Sequence, residues 1–159
     1  MRLKKTYSSR EVAALTGLTA RQLQALDSNG LVAPVIRPRR TAAGGYTERR
    51  YTAIELFELV VLADLRRRGF SAHQLALVLT RLKDQFRARL FDATGGGGHV
   101  RLLTDGRSIY ARTDGGDFYN LLEVPMQPLL VIGEEALLKE LGTSLRPHRR
   151  AGSRAATKR

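Results

Sequence analysis

Between Thr19 and Gln24, the side chains of Arg21, Gln22 and Gln24 have the chemistry to read base edges. A guanidinium can donate twice to one edge of guanine, and a glutamine amide can donate and accept together against adenine. Each such contact is worth about 1–3 kcal/mol of discrimination. Five arginines follow between Leu31 and Thr52: Arg37, Arg39, Arg40, Arg49 and Arg50, with Glu48 the only carboxylate in that stretch. Guanidiniums with so little acidic company are available for phosphates or a narrow minor groove. Tyr51 either joins those contacts or anchors the segment as a core residue.

Other chemistries find no support in the residues. The chain has no Cys, so thiolate zinc sites, disulfides and Cys nucleophiles are excluded. His73, His99 and His148 are scattered, and no carboxylate pair or Ser/His/Asp spacing stands out. The run Gly95 to Gly98 leads into His99 and Val100 and not into Lys-Ser or Lys-Thr, so it is no phosphate loop. No catalytic, metal or cofactor site is therefore expected, and the protein is not expected to be an enzyme. No apolar run approaches the roughly 18 residues of a membrane span. The start MRLKKTYSSREV lacks the apolar core of a signal peptide. The expectation is a cytoplasmic, bacterial nucleoid-associated protein with no membrane partner.

Charge agrees with a polyanionic partner. The 159 residues hold 27 Lys and Arg against 15 Asp and Glu, a net charge of +12. Residues 1–93 carry 17 basic and 8 acidic groups, residues 94–145 carry 4 and 7, and the last fourteen carry 6 and none. Basic character thus belongs to the front block and the tail, which implies different roles for the blocks.

The elements that would position the reading residues follow from caps and periodicity. Ser8 or Ser9 caps a first helix through Leu15, stopped by Gly17, with Val12 and Leu15 expected on its inner face. Thr19 caps a second helix from Ala20 to about Ser28, closed by Asn29-Gly30, with Leu23 and Leu26 inward. Two short helices joined by a tight turn make a helix-turn-helix, whose second helix starts in the major groove in such motifs. Thr19, Arg21, Gln22 and Gln24 are then the candidate recognition residues. Val35-Ile36 and Tyr46-Thr47 read as the arms of a β-hairpin wing around Thr41 to Gly45, carrying Arg37, Arg39, Arg40, Arg49, Arg50 and Tyr51.

Thr52 opens a capping box with Glu55, leading a helix with Leu56, Leu59, Val60 and Ala63 on one face and Gly69 as its stop. Ser71 caps a further helix, in which Leu75, Val78, Leu79, Leu82, Phe86 and Leu90 are expected to form one stripe. Leu82, Phe86 and Leu90 are candidates for a dimer interface, or for covering the module behind them. That module should be a β-meander of VRLLT, SIYAR and DFYNLL, with a strand at LLVI and a short helix from Glu134 to Leu141. Tyr110, Phe118 and Tyr119 could line a small aromatic pocket there or serve as core.

The order TYSSREVAALTGLTARQLQALDSNGLVAP, an arginine-rich wing, then RRYTAIELFELVVLADLRRRGFSAHQLALVL resembles the DNA-binding domain of the MerR family of transcriptional regulators, over about residues 5–83. The resemblance implies a winged helix-turn-helix, a homodimer on an inverted-repeat operator, and DNA that is bent or untwisted. Arg21 stands at the family's basic position early in the recognition helix. Arg49 and Tyr51 match the wing's Arg-x-Tyr, and Gly69-Phe70-Ser71 matches the turn between the third and fourth helices. Where many members read Leu-Arg-Tyr-Tyr-Glu, this chain has Leu23-Gln24-Ala25-Leu26-Asp27. Thr41 to Glu48 resembles an insertion in the wing.

The expected fold is a mainly α N-terminal winged helix-turn-helix domain followed by a helix, then a small α+β C-terminal module with a β-meander. The expected divisions are 1–83 for DNA binding, 84–98 for the helix end and a Gly-rich linker, 99–145 for an effector or dimerisation module, and 146–159 for a disordered basic tail. The partners expected are double-stranded DNA, a second copy of the chain, and a protein or small molecule for the C-terminal module. A sequence-specific regulator is the leading reading; an architectural, excisionase-like DNA-bending factor and a regulator whose C-terminal module chiefly binds another protein are the alternatives.

Overall fold

The structure is a computed structural model that describes residues 2–95 and 97–129. Its first half is helical, and an antiparallel sheet follows. Strand β1 (Tyr7–Ser8) leads into α1 (Ser9–Thr16) and α2 (Ala20–Ser28); after a long loop come β2 (Arg50–Tyr51), α3 (Ala53–Arg67), α4 (Ala72–Phe86) and α5 (Leu90–Gly95). The sheet is built from β3 (Val100–Thr104), β4 (Ile109–Thr113), β5 (Phe118–Asn120) and β6 (Pro128–Leu129), in that order.

The helix starts obey the capping chemistry. Ser8, Thr19 and Ser71 each accept a hydrogen bond from the N–H of the third residue of the helix, and the side-chain oxygens of Glu11, Gln22 and Gln74 accept one from the cap residue's N–H. Glu55 does the same for Thr52, accepting from its N–H at 2.7 Å. Gly17 ends α1 in the left-handed region, at φ 74, where an L side chain is strained.

Which face turns inward differs from the apolar periodicity in two helices. In α1, Val12 is buried but Leu15 is 54% exposed, and Thr16 takes the inner position instead. Thr16 can do so because its hydroxyl donates to the Val12 carbonyl at 2.7 Å and accepts from the Leu18 N–H at 3.1 Å. In α3, Leu59, Leu62 and Ala63 face inward with Glu58, while Val60 is exposed.

The expected stripe from Leu75 to Leu90 is interrupted. Helix α4 ends at Phe86, Arg87 adopts φ 49, and Leu90 begins a separate short helix. Leu82 and Leu90 are 1% and 2% exposed in the protomer's own core, and Phe86 is half-buried against Tyr119, ring centroids 5.5 Å apart. Leu82 and Leu90 are thus taken up by the protomer's own core, while Phe86 keeps part of its surface exposed. Tyr119 is half-buried edge-on against Phe86, whereas Tyr110 and Phe118 line a shallow hollow of about 290 Å³ on the opposite face of the sheet.

The core runs without a break from Val12 through Leu59, Val78 and Leu90 to Ile109, Ala111 and Leu121. Two ion-pair or hydrogen-bond anchors reinforce it. Arg81 donates to the carbonyls of Leu121 and Glu123 at 2.5 and 2.6 Å, tying α4 to the chain after β5. Arg89 grips the buried Glu58 with two bonds of 3.1 and 2.9 Å, and the Phe91 N–H adds a third at 3.2 Å, fixing α5 on α3. The compact unit extends from Met1 to Leu129, so the boundary expected at 98/99 falls inside it. At Gly98 the glycine run is packed and not an open tether, since a Cβ there would sit 2.9 Å from the Asp92 carbonyl oxygen.

The meander strands agree with the expected ones, Val100 pairing with Thr113 and Phe118 with Arg112. The turn at Asp105-Gly106 is held by the Asp105 carboxylate, which accepts from the N–H groups of Ser108 and Arg107 at 2.7 and 2.8 Å. These bonds hold its pKa below the ordinary 3.8. Of the expected LLVI strand, only Leu129 lies within the described residues, in β6. The helix expected from Glu134 to Leu141 and the tail at 146–159 lie outside them.

Candidate nucleic-acid interface

Helix α2 is positioned by its inner face and its cap. Leu23 is 1% exposed and Leu26 half-buried, which turns Arg21, Gln22 and Gln24 outward. Thr19 accepts from the Gln22 N–H at 3.2 Å, and the Gln22 side-chain oxygen accepts from the Thr19 N–H at 2.8 Å. That second bond has a chemical consequence. With one lone pair of its oxygen committed to the cap, the Gln22 amide is held in the cap's orientation, so a bidentate contact to adenine would have to be made from that fixed geometry or by opening the cap. Gln24 makes no hydrogen bond among the described residues and retains both its donors and its acceptor.

The wing is a hairpin, but its arms are longer and differently registered than the sequence suggested. Ile36 pairs with Arg50 through bonds of 3.2 and 3.0 Å, and Arg40 pairs with Tyr46. Between them, the Thr47 N–H donates to the Arg39 carbonyl at 2.8 Å. The expected tip, Thr41 to Gly45, is observed: Thr41 N–H donates to the Gly45 carbonyl at 2.7 Å, and Gly44 sits at φ 88. The expected pairing of Val35-Ile36 with Tyr46-Thr47 fails because Arg37 to Arg40 lie between Ile36 and the turn closed by Thr41 and Gly45, which sets Arg40 opposite Tyr46 and Ile36 opposite Arg50.

The base of the wing is fixed to the domain. Tyr7 pairs with Tyr51 and Ser8 with Arg50, and both tyrosines are buried. Tyr51 is fully buried, so it cannot reach a phosphate; of its two expected roles, it anchors the wing. Its hydroxyl has no hydrogen-bond partner among the described residues. Burial raises its pKa, Arg49 opposes that, and Asp27 adds to it.

The arginines divide into two groups. Arg21, Arg39 and Arg40 are exposed and form no ion pair among the described residues. Arg37, Arg49 and Arg50 are engaged. Arg50 donates from Nε to the Thr6 hydroxyl at 3.0 Å. Arg37 and Arg49 face opposite oxygens of Asp27, at 3.4 and 3.6 Å.

Between α2 and the wing lies an open cleft of about 520 Å³, lined by Ser9, Gln24, Pro38, Tyr46, Thr47 and Arg49 among others. Residue reading placed Gln24 and Arg49 in the interface but missed Tyr46 and Asp27. Tyr46 is 73% exposed, an amphipathic side chain on a basic hairpin; its place in an expected strand arm hid that. Asp27 was visible only as the acid ending the sequence Leu23 to Asp27.

The arrangement can present one helix to base edges while an adjacent arginine hairpin meets phosphates. Among the described residues no cluster of His, Asp or Glu could hold a metal ion, and no helix is long and apolar enough to cross a membrane. A family model described as MerR HTH family regulatory protein matches residues 7–82. No curated protein and no solved structure matches the chain.

Proposed function

We propose that the chain, whose residues 7–82 match the MerR HTH family of regulatory proteins, is a DNA-binding transcriptional regulator that reads a specific duplex sequence as a homodimer. The operator is an inverted repeat, and binding bends or untwists it. The protein acts in the cytoplasm, on DNA of the nucleoid.

One observation supports this reading above the others: the exposed face of α2, with Arg21 and Gln24, stands beside a wing whose Arg39 and Arg40 are unpaired among the described residues. In this reading Arg21 and Gln24 contact base edges, while Gln22 and Thr19 hold the helix start and present donors to the backbone. Arg39 and Arg40 neutralise phosphates, joined by Arg37 and Arg49. Each phosphate neutralised releases counterions and adds roughly 0.9 to the salt slope of binding. The dimer seam lies away from Leu82 and Leu90, which the protomer's own core consumes, and Phe86 is the one of the three expected candidates with surface left to offer it.

Footprinting on the DNA flanking the chain's own coding region tests the proposal. A protected site with two-fold symmetry, together with a dimer by sedimentation on that site, is the expected result. Uniform protection with no discrete site would favour the architectural, DNA-bending reading instead.

A further inference from the structure

Asp27 is an acid in a surface that meets phosphates, where simple electrostatics disfavours it. Its side chain is only 12% exposed, and its two oxygens face two different arginines, Arg37 at 3.4 Å and Arg49 at 3.6 Å. Those arginines belong to opposite arms of the wing, adjacent to the bridged pair Ile36 and Arg50. One carboxylate in the last turn of α2 therefore spans the base of the hairpin. No backbone hydrogen bond joins α2 to residues 36–50 among the described residues. The Asp27 pairs are thus the polar link from the helix to the two arms.

The distances matter as well as the partners. At 3.4 and 3.6 Å the pairs exceed the roughly 2.7–2.9 Å of a charge-assisted hydrogen bond: the exposed Arg37 guanidinium is held in place with its donors open to a phosphate, while the buried Arg49 Nε has no hydrogen-bond partner among the described residues and depends on the Asp27 carboxylate for its compensation. We propose that Asp27 is a positioning and specificity-determining residue: it fixes the wing against α2, so that phosphate contacts are possible only when the helix sits in the register that reads the correct bases. The inference rests on the DNA-reading function proposed above. It accounts for the retention of a charge that lowers affinity: Asp27 trades strength of binding for discrimination.

The test uses the full-length protein and the variants Asp27→Asn and Asp27→Glu, titrated against a duplex selected by the wild type and against a random duplex, over a series of salt concentrations. For Asp27→Asn the preference for the selected duplex should fall about tenfold, the size of one bidentate base contact. Affinity for the random duplex should rise about two- to fivefold, with a salt slope steeper by up to about 2 as Arg37 and Arg49 are released. Asp27→Glu should keep most of the preference. These opposite movements separate positioning from a structural role, which would weaken both duplexes alike. An equal loss on both duplexes, or an unchanged preference, would overturn the assignment. A wild type with no preference for any duplex would instead remove the DNA-reading function itself, and Asp27's role with it.

Discussion

At the scale of single residues, the proposed interface separates groups assigned to reading from groups that hold. Arg21 is exposed and unpaired among the described residues, so Arg21→Ala should cost about 1–3 kcal/mol on the selected duplex and little on random DNA. Arg40→Ala should weaken both alike and lower the salt slope by about 0.9. Equal, sequence-independent losses for both variants in equilibrium titrations would contradict that division. Acid sensitivity is also set residue by residue. The Lys4 ammonium and the Ser8 N–H pull the Glu11 carboxyl from 4.5 to about 2, against its small burial. A pKa lowered on folding contributes stability that is complete above the ordinary value and is lost as pH falls through the folded one. Denaturant titrations should show stability declining from about pH 4.5 toward pH 2, and Glu11→Gln should flatten that decline. The residues missed in the sequence were those whose roles are relational. Nothing in the spacing of Glu58, Arg81 or Arg89 announces a partner 31 or 40 residues away, as in the Glu58–Arg89 pair and the bond from Arg81 to Leu121, nor does the spacing of Asp27 announce Arg37 and Arg49.

At the scale of elements, local signals and tertiary context had separate reach. Caps, turn glycines and strand alternation are encoded within a few residues, which is why α1, α2, the wing tip and the meander strands were legible. Inner faces were less so: Thr16 displaced Leu15 because a threonine in a helix can satisfy its hydroxyl on the preceding turn. The division between α4 and α5 was hidden because Leu90 continues the apolar period of α4 although the chain turns at Arg87. The glycine run carried the same ambiguity, since glycine permits both loose and tight backbone. Gly98→Ala distinguishes these two uses. A Cβ 2.9 Å from the Asp92 carbonyl must push α5 away from β3, so the variant should lose about 1–3 kcal/mol in thermal unfolding. Unchanged stability would mean that the run is a tether after all. Arg89→Ala should cost a similar amount, about 1–3 kcal/mol. Glu58 is left buried with one donor, yet Arg89 is 53% exposed and its pairing is screened by water.

At the scale of the whole molecule, one core serves the helix-turn-helix and the sheet. Leu121 is fully buried in that core, and Leu121→Ala should destabilise the protein by about 2–5 kcal/mol. Amide exchange should then rise together at Val78 in α4 and Ala111 in β4, whereas a rise confined to the sheet would show two independent folding units. The shared core also gives the wing and α2 a common rigid base, while the excess of basic charge supplies general affinity for DNA. Discrimination must then come from α2 and from the geometry that Asp27 imposes on the wing. The most direct measurement of this account is selection of bound sequences by the full-length protein from a random duplex pool at physiological salt. The account predicts enrichment of an inverted repeat whose conserved bases change when Arg21 is replaced by Ala. Tight, salt-sensitive binding that enriches no motif would contradict it.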